Sequence, residues 1–243
     1  SKDGTKLVGT YIPGESGTRN TVILLHGLYQ NRTMCIPYAN IYRRMGYNVL
    51  LADLRGHGES EGGHTDWGIH DVEDMNAWVS LLRSKNPQMQ IGFHGVSLGA
   101  AMALIYSASD EGKQMKFYVA DSSYGDLLDL GRDKLMKYTG DDRLVLGMDV
   151  LNPFFQAALY MHTGKLLSDI DPVNRVQHMT SPVLFLHGAK DQLVPPEVAE
   201  LLLADSSSTN KKLYIFQGAS HTMEMSANGP AYREYVTDFI KNT

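Results

Sequence analysis

The sequence predicts an α/β fold, a mainly parallel, doubly wound sheet with an inserted helical cap. Three observations lead there. Short apolar runs alternate with longer amphipathic ones over most of the 243 residues, as strands do when helices cover both faces of a sheet. The apolar runs are nearly continuous, which is how strands buried on both faces read. Residues 122–181 contain no convincing strand and are too long for a structureless loop in a compact domain, so they read as a helical insertion over one edge of the sheet.

The strand-like runs come first. Lys6–Ile12, Thr21–Leu25, Tyr47–Ala52, Gln90–Phe93, Phe117–Ala120, Val183–Leu186 and Lys212–Phe216 are rich in Val, Ile, Leu, Tyr and Phe, and Gly, Asp or His follows most of them. Helices are expected between them. His70–Lys85 is the clearest, because Val72, Met75, Val79 and Leu82 recur at spacings of three and four and share a face. Its acidic start, Asp71, Glu73 and Asp74, and its basic end, Arg83 and Lys85, suit the helix dipole. The acidic start reads as a solvated face. Thr33–Met45, Leu98–Ser109, Glu197–Ala204 and Ala227–Lys241 are further helices, with Leu127–Tyr138 and Pro153–Leu167 inside the insertion.

Composition narrows the possibilities. The length fits a single domain over residues 1–243. Hydrophobic residues at 43% and charged residues at 20% are ordinary for a globular chain and argue against overall disorder. The 22 basic and 27 acidic residues leave a net charge of −5 and no broad basic field, so nucleic acid is not expected as a partner. The one cysteine, Cys35, excludes an internal disulfide and a cysteine-rich zinc site. No uninterrupted apolar run approaches the roughly 18 residues that a bilayer span needs, and no stretch of the sequence reads as a signal peptide. The chain opens on Ser1, and Lys6–Ile12 already reads as strand, so an anchor or leader removed upstream of Ser1 is expected. The compartment, cytoplasmic or extracytoplasmic, stays open.

The residues that carry chemistry start with Gly95-Val96-Ser97-Leu98-Gly99, a G-x-S-x-G. The pattern alone recurs by chance, and its context decides. A strand-like run precedes it and an Ala-rich helical run follows, the strand–sharp turn–helix setting of a nucleophile elbow. The glycines leave room for a tight turn, and the new helix would aim its N-terminus at developing negative charge. A serine needs a base, usually histidine, oriented by a carboxylate. Two downstream strand ends offer them, His187-Gly188-Ala189-Lys190-Asp191 and Gln217-Gly218-Ala219-Ser220-His221. That edge is where open α/β sheets bind ligands.

With Leu25-His26-Gly27-Leu28 and Asp53-Leu54-Arg55-Gly56-His57-Gly58-Glu59-Ser60 added, the chain resembles the α/β-hydrolases over essentially its whole length. It is most similar to bacterial serine esterases, some of which carry an N-terminal membrane anchor. The resemblance implies Ser97 as nucleophile, His221 as base and Asp191 as orienting acid, in the family's order Ser…Asp…His. It implies an oxyanion hole from the backbone N–H groups of Leu28 and Leu98, and a cap at 122–181. It also implies hydrolysis of a small-molecule ester with a small or medium acyl group, without cofactor or metal. The histidine must be neutral to accept a proton, so activity is expected to fall in acid.

Other residues read more plainly. His26, His94 and His187, beside strand ends and glycines, are read as buried, hydrogen-bonded packing residues, and His57 as part of a structural loop. His64, His70, Asp66 and Asp71 match no metal motif and read as solvated loop. Tyr29, Tyr124 and Met223 neighbour the motif loops and are the candidates for a substrate pocket, which is mostly apolar in such sites. Trp67, Phe154 and Phe155 fit either that pocket or plain core. The Asn31-Arg32-Thr33 sequon is read as chance. The same triad also serves thioesterases, lipases, peptidases and acyltransferases. A binding protein on this fold that has given up catalysis is a further alternative. It would typically have lost the nucleophile or the base, and both are present.

Overall fold

A computed structural model describes residues 1–243. In chain order the elements are β1 (Gly9–Ile12), β2 (Asn20–Leu25), α1 (Ile36–Arg44), β3 (Asn48–Ala52), α2 (Asp71–Lys85), β4 (Gln90–Val96), α3 (Leu98–Ser107), β5 (Tyr118–Asp121), α4 (Leu127–Thr139), α5 (Asp142–Thr163), α6 (Leu167–Ile170), α7 (Pro172–Val176), β6 (Val183–Gly188), α8 (Glu197–Asp205), β7 (Lys211–Phe216), α9 (Glu224–Ala227) and α10 (Gly229–Lys241). The seven strands form one sheet in the order β1-β3-β2-β4-β5-β6-β7. Only β1 runs antiparallel, against β3 at the edge, with Gly9 opposite Ala52. The remaining pairs are parallel, so β2 through β7 all end at one edge of the sheet.

The continuous apolar runs are explained by burial on both faces. One face packs Ile23, Phe93, Tyr118 and Phe185 against α2, α3 and α8. The other packs Val22, Val49, Val119 and Leu184 against α1 and α10. Alternate residues of each strand serve opposite faces. α3 is buried along its whole length, which explains its run of Ala and Gly. A Cβ on Gly99 would lie 2.4 Å from Leu25 O and 2.7 Å from His26 O. Only glycine lets this helix seat against the end of β2.

Three expectations need correction. β1 begins at Gly9 rather than Lys6, and the residues before it tie down by other means. The N–H of Glu61, for example, donates to Lys6 O at 2.8 Å. The second helix of the insertion starts at Asp142, eleven residues before Pro153 (153 − 142), which lies inside it. The Asp141 side chain, not the proline, supplies the cap by accepting from Arg143 N at 2.9 Å. The acidic start of α2 is not a solvated face, because Asp71 and Asp74 are both buried. Asp74 is paired with Arg55, whose guanidinium donates to it at 2.6 and 2.9 Å and also reaches Asp3 at 2.7 Å, while Asp71 accepts from Gly68 N–H at 2.8 Å.

α4 and α5 form a hairpin, pinned by Arg132 between Asp129 and Asp149. α5 buries no residue and is long and apolar enough by length and composition to cross a bilayer. The sequence pattern hides this because Asp142, Arg143 and Asp149 break its first half.

Burial pushes the Asp71 carboxyl up to about 7, although it accepts a hydrogen bond from Gly68 N–H. Its place at a helix start is worth at most about 1 kcal/mol, which does not offset that burial. The raised value means that the folded chain holds this proton more tightly than the unfolded one. The stability it contributes is complete below the unfolded carboxylate range and is lost as pH rises through about 7. Asp71→Asn keeps an acceptor for Gly68 and removes the titration. Urea unfolding at pH 5 and pH 8 should show wild type losing about 1–3 kcal/mol of stability relative to the variant between the two. Equal pH slopes for the two proteins would refute this.

Candidate active site

Ser97 occupies the turn between β4 and α3 at φ 53° and ψ −114°. This is a conformation that side chains rarely adopt, and it costs about 1–3 kcal/mol unless the surroundings impose it. Here they do. Ser97 N–H donates to Asp121 O at 2.8 Å, and Ser97 O accepts from Ala101 N at 3.1 Å. A Cβ on Gly95 would fall 2.1 Å from Gly99 O, so both glycines of the pattern are sterically required. The turn lifts the hydroxyl into a partly open position at the carboxyl edge of the sheet.

His221 follows β7 and Asp191 follows β6. Their loops mesh: Lys190 N–H donates to Ala219 O at 2.9 Å and Ala189 N–H to Phe216 O at 3.0 Å. This brings together three residues far apart in sequence. Ser97 Oγ lies 2.8 Å from His221 Nε2, and His221 Nδ1 lies 2.6 Å from Asp191 Oδ2. The carboxylate accepts the Nδ1 proton, so Nε2 is left free to accept from the serine. Asp191 is buried while the His221 side chain keeps 19% of its exposure.

Burial alone would raise Asp191. Hydrogen bonds from His187, His221 and the Val194 N–H outweigh it and hold the carboxyl well below the usual carboxylate range. Its other oxygen, Oδ1, accepts from Leu193 N at 2.8 Å and Val194 N at 2.9 Å. His187 is more than packing, because its Nε2 lies 3.3 Å from Asp191 Oδ2 and 2.9 Å from Val194 O. Burial acts to lower its pKa, and contact with Asp191 reverses the sign.

The loop after β2 approaches from the other side. A Cβ on Gly27 would sit 3.5 Å from Ser97 Cβ. Leu28 N–H has no acceptor in the chain, and Leu98 N–H, at the first position of α3, has none by helix geometry. The loop is fixed by His26, which accepts from Leu54 N–H at Nε2, 3.1 Å away, and donates from Nδ1 to Gly27 O at 2.8 Å. Burial lowers the pKa of His26 and keeps it neutral in that role.

The three pocket candidates separate. Met223 lines a cavity of about 200 Å³ with His26, Gln30, Met34, Tyr38 and Thr222. Tyr124 is buried against Trp67, their rings 6.3 Å apart, with its hydroxyl unpartnered. Tyr29 is 90% exposed, at φ 58°, and lines neither this cavity nor the next. Trp67 and Phe155 face a second cavity, about 350 Å³ and wholly apolar, between the loop after β3 and helices α4–α6. Phe154 is exposed. A cavity of about 610 Å³ lies at the opposite edge around Asn20 and Lys116; Ser97, His221 and Asp191 line none of these three cavities. His70 Nδ1 pairs with Asp66 at 2.6 Å in an exposed loop.

Asp121, Ser122 and Glu224 belong to no motif, yet all three are buried against the His221 loop. Their only sequence signal is position, at and just past the end of β5 and three residues beyond the histidine.

Comparison with known proteins agrees with this architecture. A family model described as alpha/beta hydrolase fold matches residues 20–157, and one described as serine aminopeptidase, S33, matches residues 156–226. The uncharacterized protein YqkD of Bacillus subtilis is 31% identical over 226 residues, covering 93% of this chain and 72% of that protein. The uncharacterized protein YfhR of Escherichia coli is 24% identical over 247 residues, with coverage of 99% and 78%. The structure of the Pyrococcus furiosus esterase Pf2001 superposes with a TM-score of 0.77 at 26% identity, covering 100% of this chain and 89% of that one. By sheet order, elbow geometry and family match, the chain belongs to the α/β-hydrolase fold family.

Proposed function

We propose that the protein is a serine hydrolase that cleaves carboxylic esters of small or medium acyl groups through a covalent acyl-enzyme. The observation that carries this reading is the unbroken hydrogen-bond line Ser97–His221–Asp191, at 2.8 and 2.6 Å. Ser97 Oγ attacks the carbonyl carbon as its proton passes to His221 Nε2. Asp191 holds the ring in the accepting tautomer and stabilises the imidazolium. The Leu28 and Leu98 N–H groups receive the oxyanion, each worth roughly 3 kcal/mol in the transition state. Collapse expels the alcohol, which takes the proton from His221. Water then repeats the sequence on the acyl-enzyme and restores Ser97.

The cavities support the choice of substrate. The apolar one, at about 350 Å³, lies near the low end of ligand-site volumes. It suits an aliphatic or aromatic acyl group of modest size. Neither the cavity lined by Met223 nor the apolar one has an acidic lining residue to receive a peptide's amino terminus. That weighs against a peptidase, although a matching family model bears that description. The Pyrococcus furiosus neighbour is described as an esterase, in line with this proposal.

Ester, thioester and amide substrates sharing one acyl group separate the chemistries. The ester rate should exceed the amide rate by at least about a hundredfold, and p-nitrophenyl esters from two to twelve carbons should show an optimum at intermediate length. A dominant thioester or amide rate would replace the ester assignment. No turnover of any of the three would refute the hydrolase reading.

A further inference from the structure

The loop that carries His221 is held from outside itself. Thr222, the next residue, adopts φ 60°, a left-handed conformation that a β-branched residue takes only where its surroundings impose it. Its N–H donates to Ser122 Oγ at 3.1 Å. Ser122 lies just beyond β5 at φ 56° and donates its hydroxyl to Glu224 Oε1 at 2.8 Å. Glu224 opens α9, so Ser122 brackets the backbone between His221 and that helix.

A second carboxyl stands behind this bracket. Asp121 lies beside Glu224, is reached by Ser122 Oγ at 3.2 Å and accepts a hydrogen bond from the Tyr232 hydroxyl at 2.7 Å. Tyr232 in turn accepts from His94 Nε2 at 3.0 Å, and His94 Nδ1 accepts from Tyr42 at 2.9 Å. Burial, with Glu224 beside it, raises Asp121 well above the carboxylate range, so Asp121 keeps its proton. Glu224 Oε2 is buried and has no hydrogen-bond partner in the chain. Two buried carboxyls in contact cannot both ionise. Apolar residues would fill this space at lower cost if packing were the only purpose.

We propose that Ser122 and Glu224 are positioning residues for His221, fixing the backbone after it so that Nε2 stays within reach of Ser97. The inference rests on His221 acting as the base for Ser97. Asp121, Tyr232 and His94 connect the bracket to β4, β5 and α10, the rigid part of the fold.

Ser122→Ala removes the acceptor for Thr222 N–H with little change of volume. Glu224→Ala removes the acceptor for Ser122. Glu224→Gln keeps an oxygen to accept from Ser122. We expect kcat to fall roughly 10- to 100-fold in Ser122→Ala and Glu224→Ala, with KM within about twofold of wild type, and to stay within about threefold in Glu224→Gln. A second readout needs no turnover. The His221 Nδ1 proton, shared with Asp191 at 2.6 Å, should give a downfield proton resonance that shifts or broadens in Ser122→Ala and persists in Glu224→Gln. A lower melting temperature with kcat and this resonance unchanged in Ser122→Ala would mean a purely structural bracket and would overturn the inference. A wild type that cleaves no ester, but whose resonance still moves in Ser122→Ala, would overturn the esterase reading and leave the positioning role standing.

Discussion

Replacing Ser97 by Ala is expected to lower kcat on p-nitrophenyl esters by about 10⁴- to 10⁶-fold, close to background, with both proteins equally folded. The size follows from what the change removes and what it leaves. In the proposed mechanism it removes the only atom that bonds to the acyl carbon, and with it the proton that His221, 2.8 Å away, would accept. It leaves the Leu28 and Leu98 N–H groups, the cavities, and the pairing of His221 with Asp191. Oxyanion stabilisation and binding alone keep a residual acceleration of about 10³–10⁴ over water, so the variant need not be wholly inert. Stability should hardly change, because alanine meets the same φ of 53° that serine does and loses one partly exposed hydrogen bond. A phosphonate probe provides the covalent check, labelling the wild type at Ser97 and leaving Ser97→Ala unlabelled. Equal rates and equal labelling in the two proteins would end the serine-hydrolase reading and bring forward a binding protein on this fold.

Much of this architecture was legible because its signals are local. Strands buried on both faces must be apolar throughout, so β2 to β7 announce themselves in sequence. The elbow is legible because steric limits force glycine at positions 95 and 99. Asp191 and His221 are legible because each follows a strand end, and the sheet order brings those ends together. What escaped depends on partners distant in the chain. Asp71 and Asp74 look like a solvated helix start until Arg55 reaches Asp74 from the loop after β3 and Gly68 N–H donates to Asp71. The start of α5 is hidden because a proline is a common helix opener, whereas here Pro153 sits mid-helix among exposed residues. The Ser122–Glu224 bracket spans 102 residues and has no periodicity to betray it. His187 reads as a packing residue because only the folded loop shows its second contact, with Asp191.

Asp191→Asn should cost about 10⁴-fold in kcat while leaving the fold and KM nearly unchanged. The reason lies in which oxygen does what. Oδ1 accepts two backbone N–H groups, from Leu193 and Val194. In the asparagine variant those donors fix the amide carbonyl at the Oδ1 position, because the alternative would face N–H against N–H. The NH₂ group then occupies the place of Oδ2 and points at His221 Nδ1, which it can satisfy only as a donor. His221 must give up the Nδ1 proton and carry one on Nε2, aimed at Ser97 Oγ. A base with its proton already on the receiving nitrogen cannot take another without becoming a cation, and the carboxylate that would stabilise that cation is gone. His187, 3.3 Å from the same oxygen, loses its acceptor as well and keeps only Val194 O. Asp191 itself stays ionised across the working range, since its partners hold it well below the usual carboxylate values. The role proposed for Asp191 is therefore to orient His221, not to titrate. The variant tests this through the proton spectrum: the downfield His221 Nδ1 resonance should vanish in Asp191→Asn. A variant that keeps both that resonance and the wild-type rate would show that Asp191 does not orient the base.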